Sequence, residues 1–187
     1  MSEINFEKIV LLISPSRFED QRGFFSETYN YQRYRKMGVD VEFVQDNHSL
    51  SRDVGTLRGL HFQAPRHAQG KLVRCGRGAI FDVAVDIRRG SPTYSQWVGY
   101  ELSAENGHQL YVPIGFAHGF VTLEPDSEIV YKCSNYYAPE AEGGMRWDDP
   151  AIGIEWPLTG YPILNEKDAK APLLKDFESP FIFGENS

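Results

Sequence analysis

Two histidines stand in glycine-bounded stretches that read as β-strands, and they are the first candidates for chemistry. His61 lies within residues 55–63 and His118 within residues 113–120, in a chain that has only five histidines. Histidine is the side chain that exchanges a proton most readily near neutral pH. Taken singly, however, each is more often a hydrogen-bonded core residue than a functional one. Their neighbours must therefore decide between these interpretations.

Two basic side chains accompany His61. Lys71 shares strand parity with Val73 and Cys75, so it points inward if they do, and a buried ammonium requires an anion or a carbonyl partner. Arg58 precedes His61 by three residues, and strict alternation would place these two side chains on opposite faces. A bulge or kink at a glycine between them could bring both to one face. The sequence leaves this point open.

Polar residues before His61 allow two interpretations each. Gln45 and Asn47 offer donors and acceptors that suit a sugar or a base edge, although an Asx turn at residues 46–47 explains them equally well. Arg22 and Glu27 flank aromatic residues near a turn. On spacing alone, we interpret these two as solvated surface charges.

Acidic residues after His61 are equally ambiguous. The strand pattern at residues 79–87 contains Asp82 and Asp86; we expect Asp86 to face solvent, whereas Asp82 either does so or orients a histidine across the sheet. Asp168 lies three residues after Asn165. This spacing is typical of a carboxylate in a capping-box-like turn.

Length and composition limit the classes of protein. The chain has 187 residues, enough for one domain over residues 1–187 with a sizeable core. Its net charge of -7 argues against a nucleic-acid partner. The two cysteines form no CxxC pair, which favours a reducing, cytoplasmic compartment. The apolar run at residues 9–13 is far too short to span a membrane.

The pattern of elements predicts an all-β fold. One credible helix covers residues 30–37, between a capping Asn30 and a terminating Gly38. Short strands recur about every ten residues, separated by turn residues, which is typical of a sandwich or jelly roll. The predicted strands cover residues 9–13, 24–28, 57–63, 71–75, 79–87, 97–102, 109–112, 119–123 and 128–137. Residues 43–44 resemble the start of a further strand, which gives way to four polar residues in a row. We therefore expect a β jelly roll with a few short peripheral helices.

The glycine and histidine spacings sharpen this prediction. Gly55 followed by His61, and Gly107 followed by the Pro113-x-Gly115-x-x-His118 pattern, resemble the two cupin motifs. Metal-binding cupins carry a second histidine two residues after the first, but here Gln63 stands there, and the usual glutamate is also missing. Two histidines without a third ligand make a poor transition-metal site. We expect a cupin-type jelly roll with no metal and no cofactor.

Seven sequence blocks in register identify a closer resemblance. They cover residues 22–27, 45–47, 57–63, 70–73, 113–120, 131–137 and 167–168. Together they resemble the dTDP-4-dehydrorhamnose 3,5-epimerase family over about residues 18–174. The resemblance implies an enzyme that acts on a dTDP-linked 4-keto-6-deoxy sugar, in dTDP-L-rhamnose biosynthesis. It also implies a homodimer with an exchanged N-terminal strand, which would supply Arg22 and Glu27 to the neighbouring subunit's site.

The resemblance also implies residue roles. His61 would be the general base held by Asp168, Tyr131 the general acid, and Lys71 would lie near the C4 oxygen. Substrate-binding positions would be Arg22, Glu27, Gln45, Asn47, Arg58, Lys71, His118, Tyr137, Glu142 and Lys167, with Tyr137 stacked on the thymine. The C4 ketone makes the protons on C3 and C5 removable through an enolate, so a base, an acid and a cation are the groups that the reaction needs.

Three alternatives remain at this point. A sister enzyme on the same scaffold could invert only C3 or only C5, and no residue in the sequence separates these cases. A metal-dependent cupin oxygenase is disfavoured by Gln63. A sugar-nucleotide-binding cupin without activity would keep the basic residues and Tyr137 but would have no need of His61 with Tyr131 and Asp168.

Overall fold

The computed structural model describes residues 9–184 and contains two five-stranded sheets and one separate hairpin. In chain order the strands are β1 (Leu11–Ile13), β2 (Arg17–Asp20), β3 (Gly23–Ser26), β4 (Gln45–Ser51), β5 (Leu57–Gln63), β6 (Lys71–Arg77), β7 (Ala79–Asp86), β8 (Trp97–Ser103), β9 (Gln109–Val112), β10 (Phe116–Thr122), β11 (Ser127–Cys133) and β12 (Glu142–Gly144). The α-helices are α1 (Tyr31–Met37) and α2 (Glu166–Ala169), and 3₁₀ turns occupy Pro139–Ala141 and Leu174–Asp176. The predicted all-β jelly roll with few short helices is confirmed.

The two sheets join strands that are distant in sequence. The first sheet has the order β1-β9-β6-β11-β4, and the second has the order β12-β5-β10-β7-β8. All strand pairs in both sheets are antiparallel. β2 and β3 pair only with each other among the described strands. Because sheet neighbours come from distant parts of the chain, any cavity between the sheets collects residues from many sequence blocks.

An apolar core fills the space between the sheets. It contains side chains that alternate along the strands, and its fully or nearly buried members are Val10, Val73, Cys75, Ile80, Ala84, Leu102, Leu110, Val112, Phe116, Phe120 and Ile129. Burying a side chain such as Ile129 contributes about 1.5–3 kcal/mol. Since Val73 and Cys75 face this core, Lys71 faces the same space, as its parity predicted.

Two further clusters cover the outer faces of the sheets. The outer face of the second sheet, with Leu60 and Phe62, packs against the chain that follows β12, including Met145 and Phe181. The outer face of the first sheet packs against α1 through Tyr34, which is only 4% exposed. The predicted cap residues of α1 are confirmed: the Asn30 side chain accepts from the Arg33 amide, and Gly38 adopts a left-handed conformation.

A bulge in β5 brings Arg58 and His61 to the same face of the sheet. His118 pairs with His61, and Phe120 pairs with Arg58, so three steps along β5 match two steps along β10. Because residues paired across antiparallel strands share a face, Arg58 and His61 both lie on the inner face, with His118 and Phe120. This settles the conflict of strand parity in favour of the bulge.

Several predicted strand bounds are corrected. β11 ends at Cys133 rather than at residue 137, because the following residues turn away and bond to the loop before β6. β10 begins at Phe116 rather than at 119, and β1 begins at Leu11 rather than at 9. Residues 1–8 lie outside the described part of the chain. None of the helices within residues 9–184 is long and apolar enough to cross a membrane.

The bulge generates a stability prediction for Gly59→Ala. Gly59 has φ +135°, and a Cβ atom there would lie 2.5 Å from the Cα of Gly119 in the neighbouring strand. Backbone strain and the clash together should lower the free energy of unfolding by more than about 4 kcal/mol. Urea unfolding would measure this loss.

The matched control is Gly23→Ala. Gly23 has a similar φ of +123°, but a Cβ atom added there would meet nothing within 4 Å. Its expected loss is about 1–2 kcal/mol, from backbone strain alone. Equal losses for the two variants would show that the close approach of β5 to β10 is not what requires glycine at position 59.

Candidate active site

A cavity opens between the sheets where β4, β6 and β11 face β5 and β12. It measures about 430 Å³, including the part open to solvent. Its lining residues are Gln45, Asn47, His61, Phe62, Gln63, Gln69, Lys71, Tyr131, Tyr137 and Glu142. Most of these belong to the blocks that the sequence singled out, so the fold gathers residues that are up to about a hundred positions apart.

His61 and Asp168 form a close pair at this cavity. The Nε2 atom of His61 lies 2.6 Å from Oδ1 of Asp168, whose side chain is 1% exposed. Burial raises the pKa of Asp168, but the bond to His61 and its charge, with the Gly59 amide, outweigh it and hold that pKa below its usual value. An ionised carboxylate only accepts hydrogen bonds, so Nε2 carries the hydrogen and Nδ1 of a neutral ring keeps its lone pair.

The segment around α2 delivers Asp168 to β5. The amide of Leu57 donates to the Ile163 carbonyl, and the amide of Ile163 donates to the Gly55 carbonyl. Asn165 caps α2 by accepting from the Asp168 amide at 2.7 Å. The capping interpretation of the Asp168 carboxylate is therefore wrong: its Oδ2 accepts instead from the Gly59 amide at 3.1 Å.

Lys71 presents a cation to the cavity. Within residues 9–184, no hydrogen bond or ion pair is found for its ammonium. Burial lowers the pKa of Lys71, and the nearby Cys133, Asp82 and Glu142 oppose this shift. The side chain is thus a largely desolvated donor that faces the cavity.

Tyr131 lies on β11, across the cavity from β5. Burial raises the pKa of its hydroxyl, and Cys133 adds to this effect, whereas Asn47 and Arg58 act in the opposite direction. The hydroxyl therefore keeps its proton at neutral pH. It can donate that proton only to a strongly basic acceptor, such as a carbanion or an enolate.

A second histidine–carboxylate pair lies beside the first. His118 is the strand partner of His61, and its Nε2 atom lies 2.7 Å from Oδ1 of the fully buried Asp82. Asp82 thus orients a histidine, which was one of its two interpretations. The solvent-facing expectation for Asp86 is wrong: Asp86 is 0% exposed, and its carboxylate bonds to three side chains, those of Arg88, Ser91 and Thr93.

Charged and carboxamide side chains line the outer part of the cavity. Glu142 accepts from the Lys167 ammonium at 2.6 Å and from the Tyr137 hydroxyl at 3.3 Å. Burial raises the pKa of Glu142, but Lys167 outweighs this and lowers it overall. Gln45 accepts from the Tyr137 amide and donates to Asn47, and both carboxamides lie within β4. The Asx-turn interpretation of residues 46–47 is therefore wrong.

Gln63 occupies the position where metal-binding cupins have a second histidine. Its amide group is fully engaged with the backbone, since it donates to the carbonyls of His67 and Tyr136 and accepts from the amide of Ala138. Within residues 9–184, no group of three His, Cys, Asp or Glu side chains is placed to hold a metal ion.

The chain does not bring Arg22 and Glu27 to its own cavity. Arg22 is at the tip of the β2–β3 hairpin, where its side chain is 85% exposed and contacts Asp20. Glu27 forms an ion pair with Arg33 at 3.1 Å.

Sequence reasoning missed Gln69, which lines the cavity, and Cys133, which contacts the lining residue Asn47. Cys133 accepts a long hydrogen bond from Asn47 at 3.5 Å and is paired with Lys71 across the strands. Its parity with Tyr131 could have identified it. Gln69 lies in the loop before β6, and no periodicity marked it.

Comparison with known proteins identifies the family. The family model described as dTDP-4-dehydrorhamnose 3,5-epimerase matches residues 7–176. The chain belongs to this family. A dTDP-4-dehydrorhamnose 3,5-epimerase of Salmonella typhimurium is 59% identical over 166 residues, covering 88% of this chain and 90% of the relative. Its counterpart from Sinorhizobium fredii is 54% identical over 187 residues, covering 98% and 96%.

A solved member of the epimerase family has the same fold. The crystal structure of the dTDP-6-deoxy-D-glucose-3,5-epimerase of Legionella pneumophila has a TM-score of 0.88 and 46% identity, and the match covers 92% of this chain and 93% of that one. That enzyme was crystallised in complex with dTDP-4-keto-L-rhamnose. The family resemblance predicted from seven sequence blocks is confirmed.

The lowered pKa of Asp168 generates a prediction for Asp168→Asn. At pH 7 this variant should lose about 1–3 kcal/mol of unfolding free energy, because an uncharged amide cannot replace a buried carboxylate that accepts hydrogen bonds from both His61 and the Gly59 amide. The stabilisation from the ionised group is complete above the pKa of the unfolded state and is lost as the pH falls through the lower folded-state pKa. The difference between wild type and variant should therefore shrink between neutral and strongly acidic pH.

Urea unfolding at a series of pH values would measure this difference. Asp148→Asn is the control, because Asp148 pairs with Arg146 at a partly exposed site. Removing such a pair should cost less than about 1 kcal/mol. A stability difference for Asp168→Asn that stays constant across the acid range would contradict the assignment.

Proposed function

We propose that the chain catalyses the 3,5-epimerisation of dTDP-4-dehydro-6-deoxy-D-glucose to dTDP-4-dehydro-L-rhamnose, in dTDP-L-rhamnose biosynthesis. One observation carries the proposal. A chain of the dTDP-4-dehydrorhamnose 3,5-epimerase family places the His61–Asp168 pair, the Tyr131 hydroxyl and the Lys71 ammonium at one cavity. The protein is therefore an isomerase.

His61 would remove the proton at each carbon. Asp168 fixes the ring through Nε2, which leaves Nδ1 as the basic atom, and stabilises the imidazolium that forms. The protons on C3 and C5 are acidic because each carbon is adjacent to the C4 ketone. Removing either proton places negative charge on the C4 oxygen, where the Lys71 ammonium would stabilise it.

Tyr131 would return a proton from the other side. Inversion requires that the proton arrive on the face opposite to the one it left. The supporting feature is placement: His61 belongs to β5 in the second sheet, and Tyr131 belongs to β11 in the first sheet. The raised pKa of Tyr131 suits an acid that gives its proton only to an enolate. The route needs neither a metal nor a cofactor.

The remaining predicted residues would bind the nucleotide and the sugar. Arg58 and His118 lie on the inner face beside His61 and would contact the diphosphate or the sugar. Gln45, Asn47, Glu142 and Lys167 would bond to the nucleotide or sugar, and Tyr137 would stack on the thymine. Tyr137 is 55% exposed, so its ring is accessible to a nucleotide base that could stack on it.

The decisive experiment is incubation with dTDP-4-dehydro-6-deoxy-glucose in heavy water. We expect deuterium at both C3 and C5 of the product, because each inversion replaces a carbon-bound proton with one from solvent. NMR would locate the label. Label at C3 alone or C5 alone would instead indicate a single-site epimerase, and an absence of label would overturn the proposal.

Two variants assign the residues in the same assay. His61→Ala should abolish exchange while sparing the binding of dTDP, because the His61 side chain contacts only the sugar.

Tyr131→Phe removes only the phenolic hydroxyl, so loss of the substrate protons should continue while inversion falls by about 100-fold. Undiminished inversion in Tyr131→Phe would remove this residue from the acid role.

We further propose that the protein is a homodimer in which β2 and β3 of one copy reach the partner's cavity. The tip of this hairpin carries Arg22, and it exposes Phe18, Phe24 and Phe25 by 59–69%. β4 is at an edge of the first sheet and has no second neighbour among the described strands. An unpaired edge next to the cavity can accept a strand from another copy.

Mixing two defective variants tests this arrangement. Arg22→Ala would lack the donated arginine, and His61→Ala would lack the base. If Arg22 acts on the partner's site, a heterodimer contains one intact site, and random exchange of subunits should restore about a quarter of wild-type activity. The assay uses a substrate concentration well below KM, where each variant alone is weakly active. Failure to recover activity after verified subunit exchange would place Arg22 outside the partner's site.

We also propose a cytoplasmic enzyme whose residues 1–187 form one domain. Both cysteines are unpaired, as expected in a reducing compartment.

A further inference from the structure

We propose that Gln63 is a positioning residue that holds Tyr137 in place for nucleotide binding. This inference rests on the proposed role of Tyr137 as the ring that stacks on the base. The cupin motif explains Gln63 only as the loss of a metal ligand. The structure assigns the side chain to a different task, at the two peptide groups that flank Tyr137.

The hydrogen bonds of Gln63 enclose Tyr137 on both sides along the chain. Oε1 of Gln63 accepts from the Ala138 amide at 2.8 Å, and Nε2 donates to the Tyr136 carbonyl at 3.2 Å. A further bond from Nε2 to the His67 carbonyl, at 2.6 Å, anchors the carboxamide to the loop before β6. Gln63 itself is only 5% exposed.

The Tyr137 side chain has little other support. Its ring is 55% exposed, and its hydroxyl makes a 3.3 Å bond to Glu142. Its amide donates to Gln45 at 3.0 Å. With Gln63, these contacts fix the backbone at positions 136, 137 and 138. The direction of the Tyr137 ring therefore depends on carboxamides from β4 and β5.

Removing the Gln63 carboxamide would leave buried backbone groups unpaired. Ala138 is 6% exposed, so its amide has little access to water and must move to regain a partner. The shift would misplace the Tyr137 ring. Stacking of an aromatic ring on a base changes affinity by about 5- to 100-fold, so the loss should appear in nucleotide affinity. His61 and Tyr131 belong to β5 and β11, which the shift need not disturb.

Gln63→Met, which keeps the length of the side chain and removes all three bonds, tests the proposal. We expect the Kd for dTDP and the KM to rise by about 5- to 100-fold, whereas kcat stays within about threefold of wild type. The amide of Ala138 should exchange with solvent faster in the variant. A fall in kcat with unchanged dTDP affinity would overturn the inference.

A double-mutant cycle asks whether Gln63 acts through Tyr137. Tyr137→Ala removes the ring, so adding Gln63→Met to it should weaken dTDP binding by less than about threefold. If the two effects multiply fully, Gln63 does not act through Tyr137. The control is Gln109→Met: Gln109 is also a buried glutamine that donates to a backbone carbonyl, that of Thr28, but it does not line this cavity. We expect it to change the Kd by less than about threefold.

A second variant keeps the test decisive if Gln63→Met fails to fold. Gln63→Asn keeps an uncharged carboxamide but is one methylene shorter, so it cannot reach all three backbone groups at once. Its effect on dTDP affinity should be smaller but should vanish likewise in the Tyr137→Ala background. Binding of dTDP does not require turnover. Coupled binding effects without epimerisation would therefore refute only the proposed function, and epimerisation without coupling would refute only the role of Gln63.

Discussion

The buried carboxylate of Asp168 is the contact on which the site depends. It accepts from the amide of Gly59 and from the ring of His61, so one side chain joins the bulge in β5 to the candidate base. The bulge sets which residues of β5 face the cavity. Asp168 then orients the His61 ring within that cavity. Because an unpaired buried charge is costly, neither partner can move away without destabilising the other.

The electrostatic character of the cavity differs from that of the whole chain. The chain carries a net charge of -7, yet Lys71 and Arg58 point into the space between the sheets. Asp82 and Glu142 act on the Lys71 ammonium at close range, and Asp168 is paired with His61. The cavity therefore offers cations and ring donors to an anionic ligand, which the acidic remainder of the surface repels.

The sequence predicted the fold class, α1 with both caps, and most strands, because each depends on local periodicity or on a capping residue. It also predicted the inward direction of Lys71. It could not decide whether Arg58 and His61 share a face, because the bulge requires the register of β10 against β5. Spacing alone suggested only a cap for Asp168, because its partners Gly59 and His61 are more than a hundred residues away in the sequence. Asp86 was misjudged because strand alternation does not show that the residues after β7 fold back and bond to its carboxylate. The predictions were therefore ambiguous or wrong mainly where the side chains of a strand do not simply alternate between its two faces.

Gln63 also bears on how such a protein can change over evolutionary time. A histidine at position 63 would add one ligand of the cupin metal pattern, but it would leave the Ala138 amide and the carbonyls of Tyr136 and His67 without their shared partner. Both the loop before β6 and the segment after β11 would have to adopt new hydrogen bonds before that substitution became tolerable. A single substitution at this position is therefore constrained by the two segments that the glutamine joins, and not only by the chemistry of the cavity.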